Sequence, residues 1–179
     1  MKQKNKSILL FFIAYSIITL WILIFKCNVF IDVVLYPRNL SLSERFVRYL
    51  IPFSDLEHRS LGYILPWDIF LIVMNVLLFI PIGILSLLFF NKWQSFAVVF
   101  LAPLIIELFQ LFAVIGVFAT TDLITNTLGG LIGLLLYKLL FSKLSERRVY
   151  EIAKYLCFIV IPIAAFAIIQ TCFILPAYF

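Results

Sequence analysis

Five side chains able to do polar chemistry fall inside the most apolar stretches of this chain: Asn75, Glu107, Gln110, Asp122 and Asn126. Glu107 and Gln110 are three residues apart and Asp122 and Asn126 four apart, so in a helix each pair shares a face. A carboxylate held in hydrocarbon costs at least a few kcal/mol, about 2.5–3.5 on insertion scales. Something must offset that cost. Two carboxylates among carboxamides could hold a polar ligand or serve as general acid and base. A polar network that only fixes helix packing accounts for the same residues. Glu107 has no Lys or Arg in its own stretch, so it is either protonated or hydrogen-bonded by Gln110, Asn126 or Asn75 in a cavity open to the outside. Asp122 has a simpler explanation as a helix N-cap.

Other chemistries lack their residues. There is no G-x-S-x-G, no P-loop and no set of Cys, His and Asp at metal-ligand spacing. No cofactor and no metal are expected. His58, flanked by Glu57 and Arg59, reads as a solvated loop residue. Cys27, Cys157 and Cys172 read as small apolar helix residues, with a disulfide between Cys27 and Cys172 conceivable at the outer face.

The elements that must position the five residues follow from composition. The 179 residues are 65% hydrophobic and 17% aromatic, with mean hydropathy +1.16. Soluble domains are about 45–50% apolar. The apolar runs are continuous rather than alternating, which argues against a β-barrel. The fold class expected is all-α: a polytopic membrane helix bundle of about five transmembrane helices. Spans are expected at 8–25, 69–90, 96–117, 122–141 and 155–175, each close to the 20 or so residues that cross hydrocarbon. The first is read as a retained span, because Lys26, Cys27 and Asn28 follow it rather than small residues. Asn91, Lys92, Trp93 and Gln94 are read as a tight turn. Residues 138–154 are read as a basic connection, and Pro81 is expected to bend the second span near 79–83.

The long connection 26–67 carries Ser41 and Glu44 at capping-box spacing. Leu42, Phe46, Tyr49 and Leu50 then share one face, which predicts a short amphipathic helix over 41–50 on the membrane surface. Basic residues favour one side by nine (Lys2, Lys4, Lys6, Lys92, Lys138, Lys143, Arg147, Arg148, Lys154) to five (Lys26, Arg38, Arg45, Arg48, Arg59). The positive-inside rule then puts the N-terminus inside and the C-terminus outside. The net charge of +5 forms no basic groove with stacking aromatics, so nucleic acid is not an expected partner. Membrane lipids are, while oligomeric state and partner proteins are left open.

With this topology, Gln110 falls roughly 9 Å below the outer end of the third span and Glu107 one turn deeper. Asn75 and Asn126 reach a similar depth to Gln110, with Asp122 above, so three spans bring polar groups to one level. Gly129 and Gly133 make a G-x-x-x-G spacing that admits a close helix neighbour. With Gly130 they read as helix-packing residues.

Three segments carry a family resemblance. They are 75–83 (Asn75 through Pro81 to Gly83), 107–110 (Glu107 to Gln110) and 122–133 (Asp122, Asn126, Gly129, Gly130, Gly133). In this order and spacing they resemble the VanZ-like membrane proteins, and Leu50, Ile51, Pro52 and Phe53 resemble a further family segment. The resemblance covers about residues 10–141, making 1–141 the VanZ-like domain and 142–179 an appended basic loop and fifth helix. Many members carry an Asn where this chain has Tyr49, and an Arg and acidic residues ahead of the Asp of the fourth span. Here 116–121 offers neither. The resemblance implies a bacterial cytoplasmic membrane location and a link to reduced susceptibility to the glycopeptide teicoplanin, but no particular reaction.

The expected function is binding or handling of an amphiphilic envelope ligand at an outward-facing polar pocket. The ligand would be a lipid, a lipid-linked wall precursor or a glycopeptide. Two alternatives stay open: an intramembrane enzyme using Glu107 or Asp122 as acid and base, and an accessory subunit that docks through the Gly129 and Gly133 face.

Overall fold

The computed structural model describes residues 6–24, 41, 43, 50–53, 65–113 and 118–169. Among these residues five α-helices run in chain order: α1 Lys6–Ile24, α2 Leu65–Phe89, α3 Lys92–Phe112, α4 Thr120–Leu136 and α5 Glu146–Ile169. A π-helical turn, Tyr137–Phe141, extends α4. Helices α1, α2, α3 and α5 are long and apolar enough to cross a membrane. Helix α4 has 17 residues and its extension five, so together they also reach that length. Hydrocarbon offers no partner to a backbone N–H or C=O, so apolar runs of this length close their hydrogen bonds internally as helices.

Helix ends, by contrast, are set by capping, and there the boundaries differ from those expected. Residues 91–94 are not a turn but the start of α3. The Asn91 side chain accepts from the N–H groups of Trp93 and Gln94, and the Gln94 side chain accepts from the Asn91 N–H. This reciprocal box starts the helix at Lys92 rather than at 96. Helix α3 then closes at Phe112 on Ala113, well short of 117. Helix α5 begins at Glu146, because the Ser145 carbonyl accepts from the Val149 N–H and its hydroxyl from the Arg148 N–H. Glu146 to Lys154 are therefore helical turns rather than a connection, with Lys154 paired to Glu151 across i, i+3. Hydropathy marks where hydrocarbon starts, whereas a cap can start a helix in water several residues earlier.

Aromatic contacts order the bundle. Phe12 of α1 stacks on Phe89 at the end of α2, and Phe11 meets Tyr150 near the start of α5 edge-on. The buried Tyr15 hydroxyl donates to the Leu78 carbonyl at 2.9 Å, tying α1 to α2. Phe79, Ile84, Leu85, Val149, Ala153 and Cys157 complete the apolar centre. Large apolar side chains such as Leu10, Trp21, Phe100, Phe109 and Phe158 point outward, as lipid-facing residues do.

Helix α4 packs most extensively on α2. A methyl group on Gly129 would overlap the Val76 carbonyl oxygen, and one on Gly133 the Ile80 carbonyl oxygen. Only glycine lets these backbones approach so closely. Gly130 instead faces the Val99 side chain of α3. The glycine face is thus occupied by this chain's own helices, which removes it as a docking face for another protein. Pro81 lies inside α2 without ending it. The amphipathic helix read over 41–50 falls mainly on residues 42 and 44–49, outside the described residues, as do Cys27, His58 and Cys172.

Candidate functional site

The end of the bundle formed by the start of α2, the end of α3 and the start of α4 gathers the polar residues. Asn75 of α2 is 3% exposed. Its Nδ2 donates to Asp122 Oδ1 of α4 at 2.6 Å and lies 3.4 Å from Thr125 Oγ1. The Thr125 hydroxyl donates back to the Thr121 carbonyl at 2.9 Å. Thr121 Oγ1 accepts the Phe53 N–H at 2.7 Å. A hydrogen bond to a carboxylate is about twice as strong as a neutral one, so Asn75 to Asp122 is the main polar tie across this crossing.

Phe53, in the short turn 51–53, takes φ 63°. That left-handed conformation disfavours a residue with a side chain by about 1–2 kcal/mol. The bond to Thr121 holds it, so the turn is fastened onto the first turn of α4. Ile51 and Phe53 are exposed in this turn at the start of α4.

Asp122 is not an N-cap. The cap position is Ala119, which has no side chain to contribute, and Asp122 stands in the first turn. Help comes from α3. Glu107 Oε2 accepts the Ala119 N–H at 2.8 Å. A capping box assigns that N–H to the residue three places after the cap. Here that residue is Asp122, which Asn75 engages, and Glu107 from another helix takes the N–H. The carboxylate also stands at the positive end of the α4 macrodipole. Glu107 is 1% exposed, whereas Asp122 is half-buried.

This arrangement reverses part of the depth order expected. Glu107 was placed beneath Gln110 and Asn126; it lies level with the start of α4, above Asn126. The early end of α3 at Phe112 moves Glu107 toward the surface. Gln110 does not meet Asn75 in the resulting network: its Nε2 donates to the Leu23 carbonyl of α1 at 2.9 Å. Asn126 is 1% exposed, and neither of its amide atoms has a hydrogen-bond partner among the described residues. Gly129, Gly130 and Gly133 continue inward as the contact with α2 and α3.

Two participants escaped the sequence reading, Thr121 and Thr125. Their signal was present: four residues apart, with Thr125 three after Asp122. The cluster holds a half-buried carboxylate, a carboxamide donor and hydroxyl groups. It can accept hydrogen bonds from hydroxyl or amine groups of a ligand. Among the described residues no three of His, Cys, Asp and Glu come together as metal ligands.

Comparison with known proteins bears on what such a cluster serves. The model of a family described as VanZ/LLP1 matches residues 12–141. "Protein VanZ" of Enterococcus faecium is 38% identical over 77 residues, which is 41% of this chain and 48% of that relative. The chain thus matches about half the length of the curated relative. No solved structure matches it.

Proposed function

The chain belongs to the VanZ/LLP1 family, and on that premise we propose that its polar cluster binds the headgroup of an amphiphilic envelope ligand. The ligand is a lipid, a lipid-linked wall precursor or a lipoglycopeptide such as teicoplanin, and binding contributes to glycopeptide resistance. The observation that carries this reading is the bond from Asn75 to Asp122, formed between residues 47 apart in sequence. It leaves a half-buried carboxylate at one end of a membrane bundle. Exposed Ile51 and Phe53, in the turn fastened to the first turn of α4, offer an apolar surface to the other half of an amphiphile.

The roles divide between the two carboxylates. Asp122 is the group that a ligand reaches. Glu107 is a positioning residue, which holds the start of α4 and thereby the angle at which Asp122 is presented. Asn75 orients Asp122 from α2.

Orientation supports the same reading. Among the described residues, every Lys and Arg (Lys6, Lys92, Lys138, Lys143, Arg147, Arg148, Lys154) lies near the end where α1, α3 and α5 begin. The cluster lies at the other end. By the positive-inside rule the basic end is cytoplasmic and the cluster faces outward, where wall precursors and glycopeptides are found.

The test is teicoplanin susceptibility of a susceptible bacterial host expressing the chain at equal membrane levels. Asp122→Asn is expected to lower the tolerated concentration at least fourfold relative to the wild-type chain. Glu107→Gln, whose amide oxygen still accepts from Ala119, is expected to lose less than twofold. Wild-type tolerance in Asp122→Asn sinks the proposal.

A further inference from the structure

The basic end of the bundle carries a surface that the proposed outward-facing function does not use. Lys138, Lys143, Arg147 and Arg148 are all exposed there. Among the described residues Glu151 is paired with Lys154, while Arg147 and Arg148 make no ion pair. A shallow cavity of about 490 Å³ is lined by Ser145, Arg147, Arg148, Glu151 and Ile152. The placement is unusual for a helix start. Two guanidinium groups stand in the first turn of α5 after Glu146, where the helix macrodipole is positive and repels them. Of the charged groups lining it, Glu151 is already taken by Lys154, which leaves the two guanidinium groups to favour an anion, held by the side chains, since the Ser145 hydroxyl already takes the Arg148 N–H.

Below the cavity the surface changes character along one helical face. Arg148, Ile152, Tyr155, Ile159, Ile163 and Phe166 succeed one another at steps of three or four residues, so they form a continuous stripe along α5. Tyr155, Ile159, Ile163 and Phe166 are exposed apolar or amphipathic side chains. A cationic head directly above an exposed apolar stripe fits a molecule with an anionic head and apolar chains, which would cover the half of the stripe nearest Arg148.

The geometry points to a binding site for one anionic glycerophospholipid. Its phosphate sits between Arg147 and Arg148 with Lys143 nearby, and its acyl chains lie along the Tyr155–Ile159–Ile163 stripe. Arginine suits this role because its planar fork meets two phosphate oxygens at once. A free phosphate would satisfy the cavity alone and leave the stripe unused, so the site belongs to a lipid. Bound there, the lipid neutralises the charge at the α5 start and anchors this end of the bundle to the anionic inner leaflet.

The test is lipid binding to the purified full chain by native mass spectrometry, titrating phosphatidylglycerol against phosphatidylcholine of the same acyl composition. Wild type is expected to retain phosphatidylglycerol at least tenfold better. Arg147→Gln with Arg148→Gln is expected to erase at least fivefold of that preference, and Ile159→Ser to weaken both lipids. Lys92→Gln, at the same end but on α3, is expected to leave the preference intact. Equal retention of the two lipids by wild type, which does not depend on any variant folding, overturns the site. So does an equal loss in Lys92→Gln, which would mean a diffuse field, or displacement of the lipid by equimolar glycerol 3-phosphate, which would mean a soluble anion. Unchanged thermal unfolding of the arginine variant in phosphatidylcholine separates lost binding from lost fold.

Discussion

Residues with the same carboxamide group behave differently here. Asn75 is engaged through its Nδ2, on Asp122 and near Thr125. Asn126 is as deeply buried and its amide atoms have no partner among the described residues. Deleting a partner from a buried hydrogen bond strands the other group, at about 1–3 kcal/mol, whereas removing a group that bonds to nothing avoids a desolvation cost. Asn75→Ala is therefore expected to lower the thermal unfolding midpoint in detergent, by a free energy of about 2 kcal/mol. The near-isosteric Asn126→Leu is expected to hold or raise it. If Asn126→Leu lowers the midpoint as much as Asn75→Ala, Asn126 is a bonded member of the network after all. A loss of glycopeptide tolerance in Asn126→Leu without loss of stability would place its amide among the ligand contacts.

Elements are coupled mainly through the crossing of α2 and α4. At Gly129 and Gly133 the groups that an added methyl would strike are backbone carbonyls of Val76 and Ile80, which cannot turn aside. At Gly130 the obstacle is the Val99 side chain, which can be shortened. Overpacking a tight contact costs about 1–3 kcal/mol. Gly133→Ala is expected at the top of that range, with Gly130→Ala nearer the bottom and partly rescued by Val99→Ala. The readout is the unfolding midpoint of each variant at equal detergent. A rescue of Gly133→Ala by Val99→Ala would show that the helices can separate, and that the glycines do not set their distance. The crossing also sets the site, because Asn75 lies one residue before Val76, which Gly129 meets, and Asp122 two turns before Gly129. Forcing α2 and α4 apart is therefore expected to lengthen the bond from Asn75 to Asp122 and to reduce glycopeptide tolerance together with stability.

For the whole molecule the asymmetry of charge underlies the proposed orientation. All described Lys and Arg side chains sit near one end, and the half-buried Asp122 with the turn 51–53 lies at the other. In a Cys27→Ser, Cys172→Ser background, Ile51→Cys is expected to react with a membrane-impermeant maleimide on intact cells. Ser142→Cys, exposed in the turn before α5, is expected to react only after the cells are opened. The opposite labelling pattern would turn the polar cluster to the cytoplasm and defeat the proposal that it meets wall precursors or glycopeptides. Lipid binding along α5 is tested separately on the purified chain and would stand under that outcome, whereas its anchoring to the inner leaflet would not.

Much of this was legible before any coordinates. The apolar runs dictated an all-helical membrane bundle, because hydrocarbon forbids unpaired backbone over such lengths. The expensive residues Asn75, Glu107, Asp122 and Asn126 stood out for the same reason, and the G-x-x-x-G spacing marked α4 as a close-packing helix. Helix ends were not legible, because hydropathy is blind to a capping box such as that of Asn91 and Gln94. At the other end of α3, its close at Phe112 changed the level of Glu107. Only the tertiary structure decided which polar group meets which. It gave Asp122 to Asn75, Ala119 to Glu107 and Leu23 to Gln110. Partner choice depends on how helices rotate and slide against one another, and contacts such as Gly129 on Val76 set that register; periodicity along one helix carries no such information.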